Sequence, residues 1–414
     1  VPTDARSRIP SPARRPGYNA APCSRSGFRS VQRGSAEPQQ SGCGSSSSKI
    51  PANGEQAVET YARIVAASYE DAHERAQDLA DAVDALVATP SQANLTAAQG
   101  AWVAARAPYL QTEAFRFYDG PIDDPASGPE GLLNAWPLDE AYIDYVEGMA
   151  NAGLVNDTSF AITAESIEER NELNGDQNIS TGYHAVEFLL WGQDLSLETP
   201  GQRPFEDYLT SGDGAPNGDR RGVYLQTAAD GIVTNLASLV DAWDDESDTN
   251  YRASFESTVT TEEALRRIFT GLVIFSANEL GGERLVGIES GDPNDEHSCF
   301  SDTTRTDFIE DQRGVQNVFL GRYTRIDGTI VDGVGLDEAF AARDAELAEA
   351  IRAAVANSLA LAVAVMPIYE TEIAAGNTAG HARLDALRVA LSHQGELLEE
   401  AMELLGLPFA PPAE

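Results

Sequence analysis

An apolar stripe of helical period is the feature that most constrains this chain. From residue 52 onward, apolar side chains recur at steps of three and four residues, the spacing that places them on one face of a helix. The first stripe runs from Val58 to Leu86 and predicts a long helix that ends before Thr89 and Pro90. Because such a helix needs others to cover its apolar face, the pattern favours packed helical bundles.

The same period continues along the rest of the chain. A second helix is predicted to begin with Thr89 as N-cap, Pro90 at the first helical position and Gln92 completing a capping box, and to run towards Tyr118. Pro367 is expected to kink the penultimate helix. Further helices are predicted over residues 139–150, 161–172, 180–191, 222–244, 260–280, 305–320, 336–375 and 381–405. Strand signals are scarce, so the predicted fold class is all-α.

A short echo within the sequence indicates an internal duplication. Residues 182–187 are echoed by residues 314–319, and each segment follows a long helical hairpin. The second copy lacks the ionisable pair of the first, because Gln316 and Phe319 stand in its place. Chance similarity over so short a segment is the alternative. The duplication predicts two similar helical bundles after a tail: residues 1–50 as the tail, 51–215 as the N-terminal bundle and 216–410 as the C-terminal bundle.

Residues 1–50 differ in composition from the rest of the chain. They are rich in Pro, Gly, Ser and Arg and lack apolar periodicity, which predicts disorder. Cys43 follows two small residues and precedes a run of serines, the pattern with which a lipid-anchored bacterial protein begins after signal cleavage. The apolar run that cleavage requires is missing from residues 20–40. The tail is therefore either ordinary low-complexity sequence or a mistranslated leader region with Cys43 as the lipid anchor.

The charge of the chain excludes one class of partner. The sequence contains 28 basic and 66 acidic residues, a formal net charge of −38. A body of this charge repels phosphate backbones, so nucleic acid is not an expected partner.

The longest apolar run, Leu359–Ile368, is shorter than the roughly 18 residues that a membrane-spanning helix needs, so no transmembrane segment is predicted.

One ionisable pair stands in an otherwise apolar helical segment. His184 and Glu187 are three residues apart, so they project from one face of the predicted helix over residues 180–191. An imidazole and a carboxylate placed in this way can share a divalent metal ion. The alternative is a histidine that is hydrogen-bonded to the carboxylate without a metal, and the spacing alone favours that alternative.

The surroundings of this pair resemble a known family. Gly182, His184 and Glu187 match the G-x-H-x-x-E signature of the imelysin-like family, in its iron-regulated branch. Further blocks agree in order along residues 55–408: Trp102–Tyr109, Gln111–Phe117, Gly120–Asp123, Asn134–Glu140, Asn278–Leu280 and Glu296–Asp302. The resemblance implies an exported, all-helical protein of two similar bundles, often lipid-anchored and produced under iron limitation. It implies either a metallopeptidase, like the insulin-cleaving enzyme that names the family, or a protein of iron acquisition.

The resemblance also suggests candidate site residues. It makes His184 and Glu187 metal ligands, and Glu113 is the first choice for a third ligand. Glu113 and Arg116 are three residues apart, so an intrahelical ion pair is the alternative for them. Besides Arg116, the supporting residues are Asp123, Asn278 and Glu279. Capping of a turn is the favoured alternative for Asp123, and helix capping or interdomain polar contacts are the favoured alternative for Asn278 and Glu279.

A second group of metal-ligating residue types lies close together in the sequence. His297, Cys299 and Asp302 fall in a predicted loop and are able to hold a soft or borderline metal ion. The alternative, which is favoured, makes Cys299 a small buried apolar group.

These observations predict a periplasmic or cell-envelope protein that binds a metal ion, iron or zinc, a metal chelate or a peptide between two bundles. Its predicted role is iron acquisition. A metallopeptidase using the same residues is the first alternative, but a hydrolytic zinc centre needs three protein ligands and a general base. His184 and Glu187 supply two ligands at most, so no catalytic residue is assigned. A structural or partner-binding protein is the second alternative.

Overall fold

Helices make up nearly all the regular structure of the described residues. The computed structural model describes residues 49–212 and 214–409. The helices of at least ten residues are α1 (Gly54–Ala88), α2 (Gln92–Gln111), α7 (Gly182–Trp191), α8 (Gly218–Trp243), α10 (Thr261–Ile274), α12 (Thr304–Leu320), α14 (Ala345–Ala364) and α16 (Thr378–Leu405). The shorter ones are α3 (Glu130–Leu133), α4 (Glu140–Ile143), α5 (Gly153–Asn156), α6 (Ala164–Glu168), α9 (Tyr251–Ser257), α11 (Gly287–Ser290), α13 (Leu336–Ala341) and α15 (Tyr369–Ile373). The predicted all-α class is confirmed.

Helix α1 forms the main packing surface of the described structure. Its predicted apolar stripe is buried from Val58 to Leu86. Helices α2 and α8 pack along it, and α7 packs against both α2 and α8. Helix α8 begins the predicted C-terminal bundle, yet it contacts helices of the predicted N-terminal one. The two-bundle division and the duplication stay predictions.

The start of α2 differs from the prediction. The N-cap is Ser91, whose hydroxyl oxygen accepts a hydrogen bond from the Asn94 backbone N–H at 3.3 Å. Thr89 instead ends α1, because its own N–H donates to the carbonyl of Ala85. Pro90 therefore lies in the connection rather than in the first turn, and Ser91 is the first residue with a free capping hydroxyl.

The predicted extent of several helices was wrong. Helix α2 ends at Gln111 and a 3₁₀ turn follows over Thr112–Phe115, after which Arg116 is extended and Phe117 lies at φ +68°. The patterns over 139–150 and 161–172 give only the single-turn helices α4 and α6. The pattern over 336–375 gives three helices, since Asp344 caps the start of α14 and the segment before Pro367 turns extended. Pro367 thus separates two helices instead of kinking one.

Two short features were not predicted. Strands β1 (Arg322–Thr324) and β2 (Ile330–Asp332) form an antiparallel hairpin with Tyr323 opposite Val331. The six residues that directly follow α10, Phe275–Leu280, form a π-helical turn. Three residues are too few for the alternating pattern that identifies a strand in a sequence.

Helix α14 is the one helix in the described segments that is long and apolar enough to cross a membrane, judged by length and composition. It packs against α12 and α16, and 28% of its apolar window is buried. No unbroken apolar run marks α14 in the sequence, because Glu346, Glu349 and Arg352 lie in the first half of this helix. The absence of a membrane-spanning segment stays a prediction.

Candidate functional site

Helix α7 carries the His–Glu pair, and a glycine sets where it begins. Gly182 lies at φ +80°, in the left-handed region that favours glycine. A Cβ atom at this position would lie 2.5 Å from the carbonyl oxygen of Leu133, so only a glycine lets α7 start against the end of α3. All ten residues of α7 are buried. The pair is therefore held inside the protein by a helix without a solvent-exposed face.

The predicted contact between His184 and Glu187 is present. His184 Nδ1 lies 3.0 Å from Glu187 Oε2, and the two side chains are 1% and 0% exposed. The other carboxylate oxygen, Oε1, accepts hydrogen bonds from the backbone N–H and the hydroxyl of Ser301 at 2.9 and 2.7 Å. His184 Nε2 is buried and has no hydrogen-bond partner among the described residues.

Burial favours the neutral form of both groups. It raises the pKa of Glu187 to about 8 despite the hydrogen bonds from Ser301. It also lowers the pKa of His184 well below the ordinary value, and the nearby His297 and Arg106 lower it further. A neutral imidazole with one unused ring nitrogen is the form in which histidine binds metal ions.

A second histidine faces the first. The rings of His184 and His297 are 4.8 Å apart, centroid to centroid, and cross at 72°. His297 Nδ1 lies 2.7 Å from Asp307 Oδ2, and the Ser298 hydroxyl donates to the same oxygen at 2.6 Å. A carboxylate that fixes one ring nitrogen commonly orients a histidine whose other nitrogen binds a metal ion.

Arg106 on α2 closes one side of this pair of histidines. It donates to Asn134 Oδ1 at 2.6 Å and lies 3.7 Å from Asp307 Oδ2. Its guanidinium carbon also lies 5.2 to 5.7 Å from the ring centres of three aromatic residues: Trp102, Tyr109 and Tyr183. Two guanidinium nitrogens of Arg106 and the hydroxyls of Tyr109 and Tyr183 are buried without hydrogen-bond partners in the described structure. Buried polar groups are normally satisfied, so these atoms are available to hydrogen-bond to a water molecule or another polar group.

Glu113 lies in an adjoining ion-pair cluster rather than against the His–Glu pair. It forms ion pairs with Arg116 at 2.8 Å and with Arg284. Arg284 also binds Asp311 at 2.7 Å and Glu279 at 3.0 Å. Burial raises the pKa of Glu113, but the two arginines outweigh it and hold that pKa at about 2. The cluster therefore keeps Glu113 charged. Arg116 pairs with Glu113 directly, whereas Glu279 pairs with Arg284.

The remaining predicted residues have other surroundings. Asp123 accepts hydrogen bonds from the backbone N–H groups of Phe117 and Gly120, the capping role favoured for it. Asn278 is exposed on the π-helical turn. Of the loop residues, His297 faces His184, whereas Cys299 lines a different cavity and Asp302 lies close to Asp194 and Glu370. Cys43 lies outside the described residues.

Sequence reasoning missed the residues that reach the pair from distant segments. Ser301 lies 114 positions from Glu187, and Arg106, Asp307 and Arg284 come from three further elements. Asp307 and Asp311 carried one usable signal, since they are four residues apart on the predicted helix over 305–320 and share a face. Their partners were not accessible from spacing.

Comparison with known proteins agrees with this fold. The sequence model of the imelysin family matches residues 65–398. The chain is 28% identical over 275 residues to iron-regulated protein A of Synechococcus elongatus, a match that covers 64% of this chain and 63% of that protein. The chain thus spans less than two thirds of the length of that curated relative.

Two solved structures share the fold. A putative iron-regulated protein A precursor from Parabacteroides distasonis superposes with a TM-score of 0.64 at 17% identity, over 86% of this chain and 97% of that one. An imelysin-like protein from Psychrobacter arcticum gives a TM-score of 0.59 at 14% identity, over 87% of this chain and 98% of that one. Because the family model covers most of the sequence, the chain belongs to the imelysin family.

Proposed function

We propose that this protein binds a metal ion at Nε2 of His184, whose ring Glu187 orients through Nδ1, and serves in bacterial iron acquisition, with the metal as its cargo. The observation that carries the proposal is the buried, unpartnered Nε2 of His184, which belongs to a ring held 4.8 Å from that of His297. Leaving such a nitrogen buried without a partner is costly, and a bound cation removes that cost.

The donor types suit a borderline first-row ion. Imidazole nitrogen with carboxylate oxygen favours iron, zinc or manganese over copper(I). We take His297 as a further protein ligand in place of Glu113, because two arginines already hold Glu113, and the carboxylate oxygens would come from the bound chelate. Arg106 and the hydroxyls of Tyr109 and Tyr183 would then hydrogen-bond anionic oxygens of a chelate that enters with the ion.

Burial favours binding over peptide cleavage at this site. A peptidase must admit an extended substrate and keep a water molecule on the metal. The side chains of His184 and Glu187 are enclosed by α7 and by the segment that carries Ser301. We therefore place the metallopeptidase second, and cleavage of a peptide panel that is abolished by a chelator and by His184→Gln would favour it.

The proposed location is the cell envelope, where a protein of iron acquisition meets its cargo. Fractionation of native cells, with mass spectrometry of the N-terminal fragment, tests this location and the anchor at Cys43. A diacylglyceryl group on Cys43 would support it, and an unmodified protein in the cytosolic fraction would contradict it.

Calorimetric titration with Fe²⁺ under anaerobic conditions, and separately with Zn²⁺, tests metal binding directly. We expect one equivalent to bind, and expect His184→Gln and Glu187→Gln each to weaken binding by about 100-fold or more. The chain offers a matched control, since His393 and Glu396 have the same spacing but are 61% and 74% exposed. His393→Gln should leave the affinity unchanged. Equal affinities of wild type and His184→Gln would contradict the proposal, and absence of binding together with a large loss of stability in His184→Gln would favour the structural alternative.

A further inference from the structure

A second group of carboxylates lies apart from the His–Glu pair. Asp194, Asp302 and Glu370 each offer an oxygen atom, and these oxygens all lie within 4.8 Å of one another. Asp194 follows α7, Asp302 precedes α12 and Glu370 lies on α15. Three segments far apart in the sequence thus bring acidic side chains to one point.

Asp194 and Asp302 are half-buried and Glu370 is buried, and none of the three is paired with a basic side chain in the described part of the chain. Glu370 is 2% exposed and its Oε2 has no hydrogen-bond partner among the described residues, and both oxygens of Asp302 are likewise unpartnered. A fourth acid, Glu296, is 0% exposed; the Thr304 hydroxyl and the carboxyl of Glu370 lie beside it, and no basic side chain is paired with it among the described residues. Burial, and next the carboxyl of Glu370, raise the pKa of Glu296 well above its ordinary value. Like charges this close repel one another unless a proton or a cation lies between them.

Most of the other buried acids among the described residues are paired with arginine, Glu187 being an exception. Asp144, for example, lies 2.6 Å from Arg221 and 3.0 Å from Arg203. Glu372, two residues after Glu370, lies 2.5 Å from Arg383. The contrast within one protein shows that the four unpaired acids are not a general property of its acidic composition.

The cluster is accessible to ions from the surface. A cavity of about 240 Å³ is lined by Asp194 and Glu370, with Glu140 and Cys299 in its wall. An entering cation would meet further negative charge on the way in, which raises its local concentration. The cavity also leaves room for water molecules to complete a coordination shell.

We propose that Asp194, Asp302 and Glu370 bind a hard divalent cation of the calcium class, with Glu296 as a further carboxylate beside it. The ligands are all oxygen atoms, and Ca²⁺ takes six to eight oxygen ligands in flexible geometry, including water. The absence of a nitrogen donor distinguishes this site from the one at His184. The cation joins the segment after α7, the segment before α12 and α15.

The competing explanation is that the acids share protons and bind no metal ion. Removing one acid separates the two explanations. In Asp302→Asn the repulsion within the metal-free cluster is smaller, so we expect this variant to fold and to be at least as stable as metal-free wild type. Its response to calcium should nevertheless be lost, because the site has lost a charged ligand.

Calorimetric titration with CaCl₂ after treatment with a chelator, together with thermal unfolding, tests the proposal on the full chain. We expect one equivalent of Ca²⁺ to bind with a dissociation constant of about 1 mM or tighter and to raise the unfolding temperature. Asp302→Asn and Glu370→Gln should abolish both effects. Glu198→Gln, an exposed acid in the same loop as Asp194, should leave them unchanged.

The outcome does not depend on the proposed iron site. His184→Gln should still bind calcium, so failure of the iron proposal leaves this result intact. Binding of Ca²⁺ that is equal in wild type and Asp302→Asn would overturn the second site. So would the absence of any response of wild type to Ca²⁺, Mg²⁺ and Mn²⁺ at about 10 mM, the upper range at which weak sites fill.

Discussion

Buried carboxylates in this protein fall into two kinds, which differ in their partners. Asp144 is buried between Arg203 and Arg221, so its charge is matched within the fold. Glu187 and Glu370 are as deeply buried, yet burial raises the pKa of each to about 8 because no arginine lies against them. A carboxylate of the first kind stabilises the native state. The charge of the second kind is neutralised only when a proton or a cation is bound.

Asp144→Asn tests the first kind. Burial alone would raise the pKa of Asp144, but hydrogen bonds and charge from Arg221 and Arg203 hold that pKa below its ordinary value. The substitution leaves the buried Arg221 without a carboxylate and Arg203 with Asp207 alone, so we expect a loss of about 3–5 kcal/mol in the free energy of unfolding at neutral pH. Urea unfolding measures it.

The pH dependence of that loss has a defined sign. Because the folded pKa of Asp144 lies below the unfolded value, its contribution is complete above roughly pH 4 and falls as the pH drops through the folded pKa. The difference between wild type and Asp144→Asn should therefore narrow below about pH 4. Asp78→Asn is the control, since the Arg75–Asp78 pair is exposed and should cost less than about 1 kcal/mol. A constant difference from neutral pH to pH 3 would contradict the assignment.

At the scale of elements, long amphipathic helices were predictable and short ones were not. The stripe from Val58 to Leu86 extends over many turns, so its period identified α1 from the sequence alone. Helices α4 and α6 have one turn each: Asp144 is already extended after α4, and turns follow α6, so neither helix is long enough to leave a periodic signal. The shift of the α2 N-cap from Thr89 to Ser91 has a different origin, because these two residues, two positions apart, are both good caps.

The candidate site was predictable only where its contacts are local. The three-residue spacing of His184 and Glu187 predicted their 3.0 Å contact. The approach of His297 and of Ser301 depends on how the segment before α12 packs against α7, which spacing does not determine. Glu113 was placed in the same cavity by resemblance, whereas the structure pairs it with Arg284, an interaction between residues 171 positions apart.

Gly182→Ala tests how firmly α7 positions the pair. The added methyl group would meet the Leu133 carbonyl at 2.5 Å, and the backbone there has a positive φ. We expect a loss of stability of about 1–3 kcal/mol and weaker metal binding at His184, because the first turn of α7 must move. Unfolding and metal titration on the same samples measure both effects.

Gly231→Ala is the matched control within a helix. Gly231 lies in the interior of α8, and a Cβ atom there meets no other atom within 4 Å. Alanine should therefore stabilise the protein by about 0.4–1 kcal/mol through helix propensity and leave metal binding unchanged. If Gly182→Ala behaved like Gly231→Ala, the close approach to Leu133 would not be what positions α7.

At the scale of the whole molecule, charge repulsion is the dominant electrostatic feature. An excess of 38 negative charges in 414 residues opposes compaction, since every acidic group acts on all the others. Two mechanisms relieve it. Salt screens all the charges together, and a cation bound at Asp194, Asp302 and Glu370 neutralises one cluster.

The two mechanisms are separable by their concentration dependence. In the presence of a chelator, raising NaCl from about 10 mM to 150 mM shortens the screening length from about 30 Å to 8 Å, so the unfolding temperature should rise by several degrees. Tetramethylammonium chloride should act equally well, because screening does not depend on the identity of a monovalent cation. Calcium should add a further increase that saturates with one equivalent bound and is absent in Asp302→Asn. An unfolding temperature that is insensitive to both monovalent salts would mean that the net charge is neutralised locally by ion pairs such as Arg116–Glu113, and that long-range repulsion contributes little.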